Sequence, residues 1–268
     1  MIKYDYHTHS EYSIDSYTPL EKNIERAIQI GLDEIAATDH VDFYYPSGEI
    51  MGNMPIDSYV QSVLHAQKKY HGRIKVVLGI EFGLRPDAVK TATKIAQSYD
   101  FDFILGSMHE HISGMPFHRA EFYKGREKQA AYDDYFESLL TTINSCDCFD
   151  VVGHLDYIER YGHYQNNDLH YHNHIDRVDA LLRAIIDKGK GIEINTSGYA
   201  YGLGHPHPRL DIVRRYLSLG GEILTVGSDA HTAKNIGQHF DRTYAFLKES
   251  GIKYLTTFEK RKPTMVKV

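Results

Sequence analysis

The hydrophobic pattern of this 268-residue chain alternates between short apolar runs and longer amphipathic stretches. The short runs are rich in Ile, Val, Phe, Tyr and Leu, and most of them end in Gly, Ser, Thr or Asp, as buried β-strands do. Seven such strands are predicted, at Ile2–His7, Glu34–Thr38, Ile74–Ile80, Phe101–Leu105, Phe149–Val152, Gly191–Asn195 and Glu222–Val226.

Apolar residues spaced three and four apart predict a helix after each strand. The clearest stripe contains Ile175, Val178, Leu181, Leu182, Ile185 and Ile186. The first helix is expected to begin at Thr18, with Glu21 completing a capping box. Strand followed by helix, repeated seven times, predicts an α/β protein with a parallel sheet. No internal repeat or linker divides the sequence, so residues 1–268 are expected to form a single domain.

Composition excludes several classes of protein. Hydrophobic residues make up 42% of the chain and charged residues 25%, which is ordinary for a globular protein and not for a disordered one. A net charge of -6 argues against a nucleic-acid or membrane-surface partner. No run of 18 apolar residues and no signal peptide is present, so we expect a cytoplasmic protein. The basic run Lys260–Lys262 is expected to be a solvated chain end.

The chain carries 17 histidines, and their positions are more informative than their number. Six of the seven predicted strands end in side chains that can bind metal, and the remaining one ends in Asn195-Thr196-Ser197. In a (β/α) barrel these strand ends converge on one face, where active sites lie. Closure of the sheet into a barrel is therefore favoured over an open sheet. The metal-binding side chains are His7, His9, Asp39, His40, Glu81, His109, His154, Asp229 and His231.

The chemistry of these donors indicates transition metals. His7 and His9 are two apart on a strand, so both side chains face the same side. Imidazole and carboxylate ligands suit Zn, Fe, Mn or Ni better than Ca or Mg. The set contains more donors than one tetrahedral ion can bind, which indicates two or three ions. Two neighbouring metals can activate a water against a phosphate ester. The alternative is a set of ordinary core and surface histidines.

Three motifs resemble the PHP (polymerase and histidinol phosphatase) family. They are His7-Thr8-His9-Ser10 followed by Asp15, Ala37-Thr38-Asp39-His40, and Gly227-Ser228-Asp229-Ala230-His231. The resemblance implies a single-domain, distorted (β/α)7 barrel with its metal site at the C-terminal ends of the strands. The chain length and the motifs Gly79-Ile80-Glu81 and Gly106-Ser107-Met108-His109 resemble the stand-alone histidinol-phosphate phosphatases of that family. They imply a phosphomonoesterase of histidine biosynthesis.

The resemblance also implies a trinuclear site. The first metal would be held by His7, His9, Glu81 and Asp229, and Glu81 would bridge to a second metal held by His109 and His154. The third metal would be held by Asp15, His40 and His231. Three divalent transition-metal ions are expected, with zinc favoured and iron or manganese as alternatives. Some relatives have a histidine at the position of Asp15, which leaves the identity of the third metal open.

The expected reaction is attack on phosphorus by a hydroxide that bridges two metals. Asp229, Glu81 and Asp15 are the predicted catalytic residues. Two alternative proton donors to the leaving group remain open, Asp229 and a metal-bound water. Asp39 and Asp42 are expected to orient ligand imidazoles through their second ring nitrogen.

Five residues are predicted to contact a small phosphorylated substrate. Arg160 would clamp the phosphate, or else be a solvated surface arginine. Ser197 and Asn195 would donate to a phosphate oxygen, or else form a turn or helix cap. Glu110 would pair with the ammonium of histidinol phosphate, and Phe117 would stack on its imidazole.

Two other functions remain open. One is a PHP-like phosphodiesterase or a nucleotide or sugar phosphatase. The other is a non-catalytic module like the PHP domains attached to DNA polymerases. Oligomeric state does not follow from the sequence.

Overall fold

A computed structural model describes residues 1–52, 54–162 and 164–268. The strands are β1 (Tyr4–Asp5), β2 (Glu34–Ala37), β3 (His40–Val41), β4 (Phe43–Tyr44), β5 (Glu49–Ile50), β6 (Lys75–Gly83), β7 (Phe103–Ser107), β8 (Val151–Val152), β9 (Gly191–Asn195), β10 (Leu224–Gly227), β11 (Tyr254–Glu259) and β12 (Lys262–Lys267). The α-helices are α1 (Leu20–Gln29), α2 (Ile56–Lys69), α3 (Val89–Ser98), α4 (Ala120–Tyr123), α5 (Lys128–Ser145), α6 (Ile158–Tyr161), α7 (Ile175–Asp187), α8 (Ser197–Ala200), α9 (Leu210–Ser218) and α10 (Phe240–Glu249).

Seven parallel strands form a nearly closed barrel in the order β1-β2-β6-β7-β8-β9-β10, which confirms the predicted α/β barrel. The first and last strands are joined by main-chain bonds, including Asp229 N to His7 O at 2.8 Å. The buried Asp5 carboxylate strengthens this seam, because it accepts from Ser228 N at 2.8 Å and from Ser228 Oγ at 2.6 Å. Burial raises the pKa of Asp5 to about 6.

The predicted cap of α1 is wrong. Thr18 donates its hydroxyl to the carbonyl of His231, 3.2 Å away, and so ties this segment to the loop after β10. The Glu11 carboxylate accepts from the first amide of the helix, at Leu20, instead. A carboxylate at a helix N-terminus both satisfies an unpaired N–H and complements the helix dipole.

The interior of the barrel has an apolar lower half. Val77 and Glu81 lie four residues apart on β6, so both point to the same face, and Val77 lies below Glu81 towards the N-terminal end of the strand. Val77 belongs to a small buried cluster with Tyr6, Ala36, Phe103, Leu105, Val151 and Phe258. The larger apolar core contains residues from both the helices and the barrel strands.

The C-terminal hairpin of β11 and β12 closes the bottom of the barrel and was not predicted. Phe258 of β11 packs against Phe103, with ring centroids 4.9 Å apart. Lys260 and Lys262 are exposed, as expected, but the prediction that the run is a chain end is wrong, because Lys260 and Arg261 form the turn of this hairpin in left-handed conformations. Arg261 binds the Asp150 carboxylate, with Nη2 2.9 Å from Oδ1. Such turns favour Asn-Gly, so two basic residues give no sequence signal.

Among the described residues, no helix has the length and apolar character needed to cross a membrane.

Replacement of Phe258 by alanine should lower the free energy of unfolding by about 3–5 kcal/mol, because it empties the bottom of the barrel. Urea denaturation followed by circular dichroism measures the change. Tyr254→Ala in the same strand is the matched control, since Tyr254 is 53% exposed, and should stay within about 0.5 kcal/mol. Equal effects of the two substitutions would contradict the role given to Phe258.

Candidate metal site

The structure brings the nine predicted metal ligands together at the C-terminal ends of the barrel strands. Eight of these predicted ligands sit near the C-terminal end of a strand or just after it, and the ninth, Asp15, lies further along the loop that follows β1. Glu81, on β6, is fully buried at the centre of the set.

One carboxylate oxygen of Glu81 faces three imidazoles. Glu81 Oε2 lies 2.8 Å from His40 Nδ1 and 3.2 Å from His7 Nε2. It lies 3.6 Å from His9 Nε2. His7 and His9 follow β1, and His40 begins β3, just after β2, the barrel neighbour of β1.

The other oxygen of Glu81 faces two histidines on the opposite side. Glu81 Oε1 lies 3.1 Å from His154 Nε2 and 3.5 Å from His109 Nε2. A carboxylate whose two oxygens face different imidazole groups has the geometry of a bridging ligand.

Asp229 and Asp15 complete the arrangement. Asp229 Oδ1 lies 3.3 Å from His9 Nε2 and 3.7 Å from His7 Nε2. Asp15 Oδ2 lies 3.1 Å from His231 Nε2 and 3.7 Å from His40 Nε2. The Asp15 side chain is 53% exposed, so its end of the site opens to solvent.

These distances and atoms fit metal ligation. Two donors on one tetrahedral zinc, with bonds of about 2.0–2.1 Å, lie about 3.3 Å apart. Despite these short distances, the buried atoms His7 Nε2, His9 Nε2 and Glu81 Oε2 make no hydrogen bond of acceptable geometry among the described residues. Leaving such atoms unpaired costs free energy unless something binds them. The donor set therefore fits divalent cations, while each residue's role as a ligand stays a prediction.

Mutual charge compensation keeps the carboxylates ionised. Burial alone would raise the pKa of Glu81, but the imidazoles of His7 and His40 hold it well below its usual range. Burial likewise opposes the charged form of His40, yet the Glu81 carboxylate raises the pKa of His40 to about 9. Burial and the neighbouring His40 lower the pKa of His9 to about 3.

Glu193 is a buried residue of this site that the sequence reasoning missed. Its Oε1 lies 2.7 Å from His7 Nδ1, and its Oε2 accepts from the backbone amide of His154 at 3.0 Å. This contact leaves His7 Nε2 free to face Glu81 and Asp229. A glutamate between Ile192 and Ile194 in a buried strand was the available signal, because the alternation puts it on the face opposite to both isoleucines, towards the barrel interior.

The aspartates expected to orient ligand imidazoles do so in two ways. Asp42 acts directly, with Oδ1 2.9 Å from His109 Nδ1. Asp39 acts through Ser13, whose hydroxyl donates to Asp39 Oδ1 at 2.7 Å and lies 3.0 Å from His9 Nδ1.

Two of the predicted ligands have unusual backbone conformations. His154 has a φ of 22° and Asp229 a φ of 54°, both in the left-handed region. Non-glycine residues hold such angles only when surrounding contacts compensate for the strain. The amide of His154 is bound by Glu193, and that of Asp229 donates to His7 O at 2.8 Å. These hydrogen bonds thus hold the backbone of both residues in place.

The predicted phosphate clamp reaches the site. Arg160 follows β8 in α6 and lines a cavity of about 240 Å³ that also exposes His40, His109 and Asp229. Its Nη2 donates to Ser197 Oγ at 2.7 Å and lies 3.5 Å from Asp229 Oδ2.

Other predicted substrate contacts are placed differently. Phe117 is fully buried and packs against Phe122 at 4.9 Å and Tyr135 at 5.0 Å, so the prediction that it stacks on substrate is wrong. Asn195 is also buried, and its amide donates to Glu193 Oε2 at 3.1 Å, which contradicts donation to a phosphate.

Glu110 does line the cavity, but its carboxylate is already paired with the guanidinium of Arg85. Its contact with a substrate ammonium stays a prediction.

Fold and site together define a metal-binding α/β barrel, and comparison with known proteins gives the family. Residues 5–197 match the PHP domain, and the chain belongs to this family.

The relatives cover nearly the whole chain. A histidinol-phosphatase of Lactococcus lactis is 31% identical over 96% of this chain and 95% of its own length. A probable histidinol-phosphatase of Clostridium acetobutylicum is 32% identical over 96% of this chain and 97% of its own length. The crystal structure of the Lactococcus lactis histidinol phosphate phosphatase with zinc, L-histidinol and phosphate superposes with a TM-score of 0.89, covering 98% of both chains at 30% identity. The donor clusters, together with this zinc-bound relative, make the site a divalent-metal site.

The affinity of the metal-free chain for zinc should rise by at least about tenfold per pH unit between pH 6 and 8. With its pKa raised to about 9, His40 is protonated throughout this range, and a metal that binds through His40 would displace that proton. Competition against a chelator calibrated at each pH measures the slope. Equal affinities at pH 6 and pH 8 would contradict the charge state described for His40.

Proposed function

We propose that this chain is a metal-dependent phosphomonoesterase that hydrolyses L-histidinol phosphate to L-histidinol and phosphate, a step of histidine biosynthesis. The observation that carries the proposal is the full-length likeness to the Lactococcus lactis enzyme, which was solved with zinc, L-histidinol and phosphate. The set of donors around Glu81 is what such chemistry requires.

We propose three divalent ions in the site. His7, His9, Asp229 and Glu81 would hold the first, and Glu81 would share the second with His109 and His154. Asp15, His40 and His231 would hold the third. Zinc is the favoured metal, with iron or manganese as alternatives. When bound, these ions would lower the pKa of water towards neutrality and offset the charge that develops on the phosphoryl group.

Arg160 is proposed to hold the phosphate. Ser197 cannot donate to it as predicted from the sequence, because its buried hydroxyl already donates to Asn195 Oδ1 at 2.6 Å. The guanidinium is pinned at one nitrogen by Ser197 and keeps further N–H groups for a ligand, because its Nε has no partner among the described residues. Planar, charged donors of this kind bind phosphate oxygens in pairs. Asp229 Oδ2 lies 3.5 Å from the same Arg160 nitrogen that binds Ser197. Burial opposes the charged form of Asp229, but His7 chiefly holds its pKa well below its usual range and so keeps it ionised.

Glu110 is proposed to receive the amine end of the substrate. Its carboxylate lies in the same cavity as Arg160, so one ligand can contact both residues. Arg85 fixes the orientation of Glu110 and leaves part of the carboxylate exposed to the cavity.

We further propose that residues 1–268 act as one domain and that the substrate is a small phosphorylated molecule. The cytoplasmic location expected from the sequence stays a prediction.

The direct test is turnover of a substrate panel by the zinc-reconstituted chain. L-Histidinol phosphate should be hydrolysed with a kcat/KM at least about a hundredfold above that for nucleoside monophosphates, sugar phosphates and aryl phosphodiesters. Greater turnover of a nucleotide or a diester would reassign the substrate. A chain that binds zinc and hydrolyses none of the panel would be a non-catalytic module.

The proposed partition of the ions predicts different metal losses from two substitutions. Glu81→Ala should remove more than one zinc per chain, because Glu81 faces both groups of histidines. His231→Ala should remove about one, because His231 pairs with Asp15 at the open end of the site. Mass-spectrometric metal analysis after gel filtration measures both losses. His71→Ala, an exposed histidine just after α2, is the control. Loss of all metal from His231→Ala would contradict the partition.

A further inference from the structure

A cage of three tyrosines encloses the guanidinium of Arg160. Its carbon Cζ lies over the rings of Tyr157 at 5.0 Å, Tyr161 at 5.9 Å and Tyr201 at 3.9 Å from the ring centroids. A guanidinium over an aromatic face is attracted by the ring quadrupole, most strongly at close range. Tyr201 is therefore the dominant partner by distance.

Tyr201 reaches Arg160 because of the short helix α8. This helix begins at Ser197, and the amide of Tyr201 donates to the carbonyl of Ser197 at 3.0 Å. Residues four apart on a helical turn lie on the same side. The Ser197 hydroxyl and the Tyr201 ring are thus presented together, one to the edge of the guanidinium and the other to its face.

The two contacts together fix the plane of the guanidinium. Ser197 Oγ binds Nη2 at 2.7 Å and sets the direction of one edge, while the Tyr201 ring covers one face. A planar fork that is held in advance loses less entropy for each hydrogen bond that it forms with an anion. Arg160, Tyr201 and Asp229 line the same cavity, so the guanidinium is held at the wall of the space that a phosphate would enter.

Tyr201 differs from the other two tyrosines in what else it contacts. Tyr157 also packs on the imidazoles of His154 at 4.7 Å and His109 at 5.5 Å, so its removal would disturb predicted metal ligands. Tyr201 is 55% exposed, which means that fold stability does not require so large an apolar ring there. A large, half-exposed ring that closely covers a buried cation has a local role.

We propose that Tyr201 is a positioning residue for substrate phosphate, acting by holding the Arg160 guanidinium under its ring. The proposal rests on the proposed role of Arg160 as the phosphate clamp. It adds a residue that need not touch the substrate and whose aromatic face, not its hydroxyl, does the work.

The test compares three substitutions at Tyr201 in the zinc-loaded chain. Inorganic phosphate is the probe for calorimetric binding, and L-histidinol phosphate is the substrate for kinetics. Tyr201→Phe keeps the ring and should bind phosphate within about twofold of the unchanged chain. Tyr201→Leu keeps apolar cover without a ring face, and Tyr201→Ala removes both. The Leu and Ala variants should each weaken phosphate binding and raise KM by about three- to thirtyfold, with a smaller effect on kcat.

A double-mutant cycle separates action through Arg160 from any other effect. In an Arg160→Ala background, Tyr201→Ala should cause no further loss of phosphate affinity, because the two residues act as one unit. The matched control is Tyr199→Ala, which removes a similar stack on Arg242, at 4.0 Å, that lies away from the cavity lining. It should leave phosphate binding unchanged. Zinc content is measured for every variant.

Three results would overturn the proposal. The first is phosphate binding by Tyr201→Phe as weak as that by Tyr201→Ala, which would make the hydroxyl a direct ligand. The second is a further loss of phosphate affinity when Tyr201→Ala is added to Arg160→Ala. The third is unchanged phosphate binding in Tyr201→Ala. These results differ from a failure of the proposed function. If the chain does not hydrolyse histidinol phosphate, the calorimetric cycle with inorganic phosphate still decides the role of Tyr201.

Discussion

The burial of one carboxylate, Glu81, is the constraint around which the site is built. An ionised carboxylate with no exposure to solvent is stable only if cations or strong donors surround it. Five imidazoles from the ends of four strands do so, at distances between 2.8 and 3.6 Å. Without metal, His7, His40 and His109 supply this positive charge by taking up protons, because neighbouring carboxylates raise their pKa values against the effect of burial. On binding metal, these side chains would exchange their protons for ions, so the fold is compatible with both states.

The barrel separates structural and chemical roles along its axis. Below Glu81 the interior is apolar and is closed by Phe258 from the C-terminal hairpin. Above it the interior is polar, and Glu193 lies within this upper part. Glu193 contacts the His7 side chain after β1 and the His154 backbone amide after β8, so it links two predicted ligands that are far apart in sequence. The apolar floor keeps water from the site on that side, and the open end lies near Asp15 and Tyr201.

Much of this arrangement could be predicted from sequence because strand ends converge in any parallel barrel. The positions of His7, Glu81 and Asp229 needed only strand periodicity and one topological rule. The position of Phe117 could not be predicted, because the sequence around an aromatic loop residue does not show whether its ring faces a cavity or packs in the core. The role of Asn195 was mispredicted for a related reason. Strand alternation puts it on the same face as Glu193, two residues earlier, but does not tell whether its amide reaches the cavity or donates to that carboxylate. The C-terminal hairpin has a turn of two basic residues and so gave no turn signal.

The seam at which Asp5 bonds Ser228 joins residues 223 positions apart. The donors predicted for the first metal, His7, His9 and Asp229, come from opposite sides of that seam. On a ribosome adding about 5–20 residues per second, His7 and His9 would wait roughly 10–40 seconds for Asp229 to be made. In that interval two histidines on an unfinished chain make only a weak and unselective chelate. On the proposed partition of the ions, choice among the metals of the cell would therefore belong to the last stage of folding, when closure of the seam sets the distances between the donors.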